Sequence, residues 1–388
     1  MTYDKDSFLA GLSVGMSLRY SKRIPAPINC ITFSSPFSFT LAVDNSTKNW
    51  NGTIEYSTNA RNWITWDGTT TITAVAISNT YYIYLRGTGN THITGDVITT
   101  RRFVLNGQNC SVSGDIECLL DYQTVAQGQH PTLDNRCYAC LFENSTSLID
   151  ASGLTIPTVS NYSCARMFSN CANLSAAPLL PSMGLADGCY NLMFQQCSSL
   201  LIPPDLPAVV CKNACYRAMF SRSAITVMPY LPATQLANDC YDNMFFGCAS
   251  LKAARPLPAT TMYPYCYGAM FRESGLTTPP SLQALTLASG CYQNMFYGCT
   301  SLKSIPALPA ETLEVGCYSL MFYGCALIKI SQTQSGSYTN PYRIPQSGNG
   351  TDATSSTFYM FYQTGGTFTE TPQINTTYYT SNMVIYKE

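Results

Sequence analysis

The chain repeats itself every 25 or 26 residues, and this period constrains its fold more than any other feature. Phenylalanines mark eight units at successive spacings of 26, 26, 26, 25, 26, 25 and 26 residues. They are Phe142, Phe168, Phe194, Phe220, Phe245, Phe271, Phe296 and Phe322. A further unit, "FYMFYQTGG" around Phe361, follows after a longer gap. Self-similarity in this range indicates a solenoid or a propeller, in which each unit buries its apolar face against its neighbours.

Each unit carries the same residue types at fixed places, as in "CYQNMFYGCTSLKSIPALPA", residues 291–310. A cysteine lies five residues before Phe296, a tyrosine four before it, and Cys299 three after it. Serine replaces this second cysteine at Ser145, Ser223 and Ser274. At about 100° per residue these positions share one helical arc, and Gly298 lies where a helix end favours glycine. The pattern predicts a short helix with a buried face.

The segment after this helix is stopped by proline, as in "SLKSIP", residues 301–306, which predicts a brief strand. One strand and one helix in each 25 or 26 residues describe a leucine-rich-repeat coil. We therefore predict a mixed α/β repeat protein. An N-terminal β-sandwich would be followed by a leucine-rich-repeat solenoid.

The 18 cysteines could be core residues, disulfides or zinc ligands. Residues eight apart on a helix lie about 12 Å apart, whereas a disulfide requires Cα atoms within about 7 Å. Structural zinc sites prefer pairs two to four residues apart, and the chain has only two histidines. Core packing is favoured over inter-coil disulfides and over metal binding, so we predict no metal site and no cofactor.

We predict that the first 27 residues form a separate N-terminal anchoring or packing segment. Within it, "SFLAGLSVGMSL", residues 7–18, predicts a short packing helix, followed by basic "RYSKR". That order is the reverse of a secretory signal, and no apolar run reaches the roughly 18 residues of a membrane span. The candidate anchor residues are Phe8, Leu9, Leu12 and Met16.

Three further regions follow. Residues 28–112 contain about seven short runs rich in Thr, Ile, Tyr and Trp, which predict an Ig-like β-sandwich. Residues 113–330 are predicted to form the solenoid, and to open with a helix capped near Ser113. Residues 331–388 are rich in Gly, Ser and Thr and predict a strand-rich C-terminal cap.

The charge and the absence of catalytic motifs argue against two classes of function, nucleic-acid binding and catalysis. Charged residues make up 11% of the chain and the net charge is -1, which argues against nucleic-acid binding. No phosphate loop, HExxH or GxSxG occurs. No motif places a carboxylate beside His92 or His130, and no spacing selects a pair of acids. We predict that the chain is not an enzyme.

Two surfaces are candidates for binding. In the predicted strands, Lys252, Lys303 and Ile305 would point away from the core and line the sheet face. On the helical side, the residue after each phenylalanine falls outside the buried arc. In the later units these residues are Phe246, Arg272, Tyr297 and Tyr323. Exposed aromatic rings with arginine are typical of protein contacts, although both faces could also be merely solvated or folded onto their own units.

The units, written "CYxxMFxGCxSLxxxPxLPAxxL", resemble the BspA-like leucine-rich repeats of surface proteins from gut and oral bacteria and their phages. The resemblance covers residues 137 to about 330. The stretch "IEYSTNARNWITWDGTTTI" resembles the β-sandwich that precedes such repeats, and "DSFLAGLSVGMSLR" is similar to N-termini of tail-associated proteins in gut phages. The family implies adhesion or recognition, and it offers no catalytic residues to transfer.

These observations lead to one expected function and two alternatives. We expect a non-enzymatic virion protein of a phage tail, attached to other tail proteins by its N-terminus and presenting its repeats to a host glycan or protein receptor. Homo-oligomers are compatible with this function. A secreted or cell-surface bacterial adhesin is the alternative, and a carbohydrate-active enzyme is a weaker one.

Overall fold

The computed structural model describes residues 29–44, 49–95, 102–344, 347–348, 355–369, 371 and 385–387. Within these ranges the chain is rich in strands and turns, and it contains one α-helix, α1 (Cys118–Ala126). The described part of the chain is therefore β-rich, whereas the sequence predicted a mixed α/β repeat protein. The predicted alternation of one helix and one strand in every repeat is not found in these residues.

A seven-stranded sheet occupies the first part of the chain and extends into the first repeat. Its strand order is β10-β9-β1-β7-β3-β4, and β6 pairs with β7. The strands are β1 (Ile31–Ser35), β3 (Thr53–Ser57), β4 (Ile64–Trp66), β6 (Val75–Ile77), β7 (Thr80–Thr88), β9 (Cys110–Asp115) and β10 (Leu148–Thr155). Because β9 crosses from 112 to 113 and pairs in parallel with β10, the sheet continues across the predicted domain boundary.

A three-stranded sheet faces the larger one. It consists of β5 (Ile72–Thr73), β2 (Thr40–Val43) and β8 (Phe103–Asn106), in that order. Phe103 of this sheet meets Phe33 and Trp66 of the larger sheet, with ring centroids 6.5 Å and 5.8 Å away. Phe142, the first repeat phenylalanine, lies 6.3 Å from Phe103. The core of the two sheets thus runs into the core of the repeats.

Helix α1 begins later than the sequence suggested. Ser113 belongs to β9 rather than to a helix cap, and the Asp115 carboxylate accepts the Glu117 backbone N–H at 2.9 Å. Inside α1 the backbone leaves helical geometry at Asp121, whose carboxylate accepts the N–H groups of the second and third residues after it. Asp121 therefore acts as an N-cap for the second half of the helix.

The segment around each repeat phenylalanine is a ribbon of overlapping turns, and the predicted helix is wrong there. Every second backbone N–H donates to the carbonyl oxygen three residues earlier, as in a β-turn. In one unit these donors are Cys291, Gln293, Met295, Tyr297 and Cys299. The backbone is left-handed at every fourth residue, with φ of 60° at Gly290, 57° at Asn294 and 69° at Gly298.

The remaining N–H groups of each ribbon donate to the next unit. Phe296 donates to the Met321 carbonyl oxygen at 2.9 Å, and Phe142 donates to that of Met167 at 2.9 Å. The same pattern joins Phe322 to Met360 at 2.9 Å, so the unit of Phe361 stacks on the eighth unit. In an α-helix all these N–H groups would bond within their own segment. The turn ribbon leaves these N–H groups to bond edge to edge with the neighbouring unit.

The proline-containing segments do not form the predicted strands beyond β10. In the later units they are joined by isolated parallel bridges, for example Ala253 to Thr278 and Leu257 to Leu282. In "SLKSIP", Lys303 donates its N–H to the Thr277 carbonyl oxygen at 3.2 Å. Proline has no N–H to donate, so a continuous hydrogen-bonded ladder cannot run through these segments.

Aromatic rings stack along the repeats in two buried columns. The phenylalanines from Phe142 to Phe322, and then Phe361, have neighbouring ring centroids 5.3 to 5.9 Å apart. The tyrosines from Tyr190 to Tyr318 stack at 5.6 to 5.9 Å. Such contacts contribute about 0.5–1.5 kcal/mol per pair beyond the burial of apolar area.

Short strands follow the last repeats. Strands β12 (Ile330–Ser331), β15 (Ile385–Lys387) and β13 (Asn340–Tyr342) form a small antiparallel sheet with β15 in the middle. Strand β11 (Thr312–Leu313) pairs in parallel with β14 (Ser347–Gly348). The Phe361 unit lies within residues 331–388, so this region combines strands with a ninth repeat-like unit.

Candidate interaction surfaces

The residues that follow the repeat phenylalanines form a stack on the outside of the later units. The rings of Tyr297 and Tyr323 lie 4.6 Å apart, centroid to centroid, and are inclined by only 4°. The Arg272 guanidinium lies between Phe246 and Tyr297, at 5.4 Å and 4.7 Å from the two ring centroids. All four side chains are partly exposed. These four predicted contact residues thus lie together, and we call them the aromatic column.

The column is longer than the sequence predicted. Arg222 lies over the Phe246 ring at 5.1 Å, and Tyr362 extends the other end at 5.1 Å from Tyr323. Tyr359 then packs 4.9 Å from Tyr362. Tyr362 follows Phe361 and could have been found by carrying the repeat into that unit. Arg222 lies two residues after Phe220 rather than directly after it, so the repeat pattern did not indicate it.

The stacking determines what the column can offer to a partner. The faces of the Tyr297 and Tyr323 rings cover each other, and Arg272 Nε donates to Glu273 Oε1 at 3.2 Å. The ring edges and the Nη groups of Arg272 therefore remain for contact. Ring edges carry a partial positive charge, and guanidinium groups donate hydrogen bonds without accepting any. The column is therefore suited to backbone carbonyl and carboxylate oxygens of a protein more than to the apolar faces of a sugar.

The earlier units do not continue the column. The equivalent residues are Glu143, Ser169, Gln195 and Ser221. Glu143 is buried and accepts hydrogen bonds from Arg166 Nε at 2.9 Å and Arg102 Nη1 at 3.5 Å. In the first unit this position is therefore used for internal ion pairing, Ser169 and Ser221 are buried at it, and the aromatic column belongs to the later half of the repeats.

The second predicted surface is only partly present. Lys252 and Lys303 are exposed, and the Lys252 ammonium donates to the Ala249 carbonyl oxygen at 2.9 Å. The prediction for Ile305 is wrong, because its side chain is only 6% exposed. The segment is not a strand, so the alternation of inward and outward residues fails, and Leu302 and Ile305 both point inward. Lys303 and Ile305 line one cavity, to which Lys252 does not contribute.

All 18 cysteines are buried and none forms a disulfide. The second cysteine of a unit donates its thiol hydrogen to the carbonyl oxygen of the phenylalanine in the preceding unit. The sulfur to oxygen distance is 3.0 Å from Cys171 to Phe142 and 2.9 Å from Cys299 to Phe271. Burial raises the pKa of Cys171 to about 12 and that of Cys299 to about 11. The thiols are therefore protonated at neutral pH and act as donors rather than as nucleophiles.

Three thiols outside this arrangement lie together. The Cys211 thiol donates to the Tyr241 hydroxyl at 3.4 Å, and the thiols of Cys215 and Cys240 are its neighbours. Among the described residues, no group of three or more His, Cys, Asp or Glu is placed to hold a metal ion. The cluster is thus part of the packed interior of the repeats.

Both histidines have a carboxylate partner that sequence spacing could not reveal. His92 Nδ1 lies 3.0 Å from Asp134 Oδ2, and His130 Nδ1 lies 2.7 Å from Glu117 Oε2. The hydrogen bond to Glu117 raises the pKa of His130. Thr158 donates its hydroxyl to the other oxygen of Glu117, so this hydroxyl is turned toward the carboxylate and is not activated by the histidine.

The predicted anchor residues Phe8, Leu9, Leu12 and Met16 lie outside the described residues. In the part of the chain that is described, no helix has the length and apolar character needed to cross a membrane. Comparison with known proteins found no match among family models, curated proteins or solved structures. The likeness to BspA-like repeats therefore depends on the residues of the units themselves.

Proposed function

We propose that this chain is a non-enzymatic recognition protein of a phage tail, built as a β-sandwich followed by a leucine-rich-repeat solenoid of the BspA-like type. The observation that carries the proposal is the aromatic column, in which Phe246, Arg272, Tyr297 and Tyr323 are stacked and partly exposed. Tyrosine and arginine are the residue types that contribute most to protein contacts.

The geometry of the column favours a protein partner. A contact area becomes strong when its anchoring side chains are held in place before binding, because less side-chain entropy is lost. Here each ring is held between its neighbours in consecutive units. The column spans the units from Phe246 to Tyr362, so a partner would bind along the repeats rather than at one turn.

The location of the protein follows from resemblance. The first residues are similar to N-termini of phage tail-associated proteins, and we propose that Phe8, Leu9, Leu12 and Met16 attach the chain to another tail protein. The repeats would then face the host surface. The low content of charged residues suits a rigid, polar surface protein, and self-association through the column is compatible with this role.

The proposal is tested by binding of labelled full-length protein to intact cells of a panel of gut bacteria. The Phe246→Ala, Tyr297→Ala double variant is expected to bind a responsive strain at least tenfold more weakly at an unchanged melting temperature. Leu285→Ala serves as the matched control, since Leu285 is an exposed apolar residue of a nearby unit outside the column. Binding equal to wild type by the double variant would reject the column as the contact surface.

Two further readouts test the class and the location. Release of sugar from the bound cells would identify an enzyme and overturn the proposal. Mass spectrometry should detect the chain in purified phage particles. Its presence only in bacterial envelope fractions would assign it to a cell-surface adhesin instead.

A further inference from the structure

One end of the aromatic column places a phenylalanine ring between two arginines. We call Arg222, Phe246 and Arg272 the arginine end of the column. The guanidinium groups of Arg222 and Arg272 lie 5.1 Å and 5.4 Å from the Phe246 ring centroid. The three residues come from three consecutive stacked units, so the two cations lie on opposite sides of the ring. The order along the column is therefore cation, ring, cation, with steps of nearly equal length.

Both guanidinium groups keep hydrogen-bond donors for a partner. Arg222 is exposed and forms no ion pair with the described residues. Arg272 donates from Nε to Glu273 Oε1 at 3.2 Å, which leaves its Nη groups open. Glu273 offsets part of the charge at Arg272, so the placement of the donors, rather than net charge, determines what binds here. A guanidinium group pairs with a carboxylate through parallel N–H donors.

The steps of the arginine end match one turn of an α-helix. A helix rises about 5.4 Å in each turn of 3.6 residues, and the two steps measure 5.1 Å and 5.4 Å. A partner helix lying along the column would present side chains three or four residues apart to neighbouring members. Side chains seven residues apart differ by only about 20° around the helix, so two of them would face the two arginines.

An extended peptide does not match this spacing. Residues on one face of a strand recur at about 6.7 Å, which puts a strand out of register by about 3 Å over the two steps. Beyond Arg272 the steps shorten to 4.7 Å at Tyr297 and to 4.6 Å from Tyr297 to Tyr323. A straight helix therefore keeps its register best at the arginine end.

The ring between the arginines determines what a partner carries between its two acids. Phe246 is partly exposed, and its faces are turned toward the two guanidinium groups. The ring edge is therefore the part of Phe246 that a partner can reach. An apolar side chain three or four residues after the first acid would lie against this edge, because such residues share one side of a helix.

We propose that the arginine end of the column binds an α-helix of a partner protein that carries two carboxylates seven residues apart, with an apolar residue between them. The inference rests on the proposed recognition function, since it names the kind of protein segment that the aromatic column takes. It specifies one secondary structure and one spacing, so it can fail while the recognition function holds.

The test measures binding of full-length protein to a fluorescein-labelled, hydrocarbon-stapled alanine-based peptide by fluorescence anisotropy at low salt. The staple holds the peptide helical, because short helices are marginal in water. The matched peptide has two glutamates seven residues apart and a leucine four residues after the first. It is expected to bind, and to weaken as salt is added.

Three comparison probes decide what is recognised. A stapled peptide of the same composition with its glutamates five residues apart, on different sides of the helix, should bind at least tenfold more weakly. An unstapled matched peptide with a central proline, which breaks the helix, should do the same. Equal binding of either peptide, or no binding of the matched one, would overturn the proposal. Oligogalacturonate binding more tightly than the matched peptide would overturn it in favour of a glycan site.

Variants locate the binding. The Arg222→Glu, Arg272→Glu double variant should bind the matched peptide at least tenfold more weakly and should instead bind a peptide with both glutamates replaced by lysine. Arg136→Glu is the matched control, because Arg136 is an exposed arginine over the Tyr162 ring at 5.5 Å in an earlier unit. Unchanged binding by the double variant would overturn the proposal. So would an equal loss in the Arg136 control.

The peptide and cell assays together separate this inference from the proposed function. If wild-type protein ignores every helical peptide while the Phe246→Ala, Tyr297→Ala variant loses cell binding, the recognition function stands and the helix site is rejected. If the matched peptide binds through the two arginines while the Phe246→Ala, Tyr297→Ala variant binds cells normally, the helix site stands and the column is rejected as the cell contact.

Discussion

The Cys299 thiol donates a hydrogen bond to the Phe271 carbonyl oxygen of the preceding unit, at a sulfur to oxygen distance of 2.9 Å. The equivalent bond recurs at Cys171, Cys197, Cys248 and Cys325 with distances of 3.0 to 3.2 Å. These five cysteines therefore tie their own units to the preceding ones, in addition to filling the interior.

Replacing the Cys299 thiol should lower the free energy of unfolding, by an amount that depends on whether the new side chain can donate a hydrogen bond. Cys299→Ala removes the bond and leaves a small void, and we expect a loss of about 1–2 kcal/mol in the free energy of unfolding. Cys299→Ser keeps a small donor of the type already present at Ser223 and Ser274, and should lose less than Cys299→Ala. Urea unfolding of the two variants measures both values. Equal losses would contradict a stabilising role for the donated hydrogen bond.

Stability should fall at alkaline pH because the buried thiols resist ionisation. Burial raises the pKa of Cys248 and of Cys266 from 9.0 to about 12. Folded-state pKa values above the unfolded ones give full stability below pH 9 and a progressive loss as pH rises from 9 toward 12. Each such thiol contributes about 1.4 kcal/mol per pH unit in that window.

Denaturant unfolding of wild type and Cys248→Ser across this window tests the effect. The variant lacks one titrating thiol, so its stability relative to wild type should improve steadily above pH 9. Parallel curves for the two proteins would contradict the assignment of a raised thiol pKa.

Replacing a non-glycine residue that has positive φ by glycine should stabilise the turn ribbon. Ala218 has φ of 51°, a conformation that costs an alanine roughly 1–2 kcal/mol but costs glycine little. We expect Ala218→Gly to raise the free energy of unfolding by about 0.5–1 kcal/mol after the greater unfolded-state entropy of glycine is subtracted. Ala259→Gly is the control, since Ala259 does not have positive φ, and it should destabilise. Destabilisation by both changes would argue against the turn ribbon.

The sequence predicted the inward residues of each unit but not the backbone that carries them. Cysteine, tyrosine, methionine and phenylalanine of the Phe296 unit are all buried, as the helical arc required. In the ribbon the inward residues recur every four residues, which is too close to 3.6 for apolar pattern alone to distinguish. Gly298 was predicted to lie at a helix end; it has positive φ, but it belongs to a turn of the ribbon.

The candidate surfaces were also predictable to different degrees, because the repeat identifies equivalent residues but not the backbone conformation. The aromatic column follows from the repeat, because equivalent positions of stacked units must lie side by side. Ile305 was misplaced because its position depended on strand alternation. The small C-terminal sheet could not be predicted strand by strand, since β15 pairs with two strands far from it in the sequence.

The most direct test of the account compares two adjacent phenylalanines. Phe245 is fully buried and stacks between Phe220 and Phe271 at 5.9 Å and 5.5 Å, whereas Phe246 is partly exposed between two arginines. Denaturant unfolding of Phe245→Ala should show a loss of about 3–5 kcal/mol, and that of Phe246→Ala a loss below about 1 kcal/mol. Similar losses from both substitutions, or a larger one from Phe246→Ala, would contradict the stacking of the units and the position of the aromatic column.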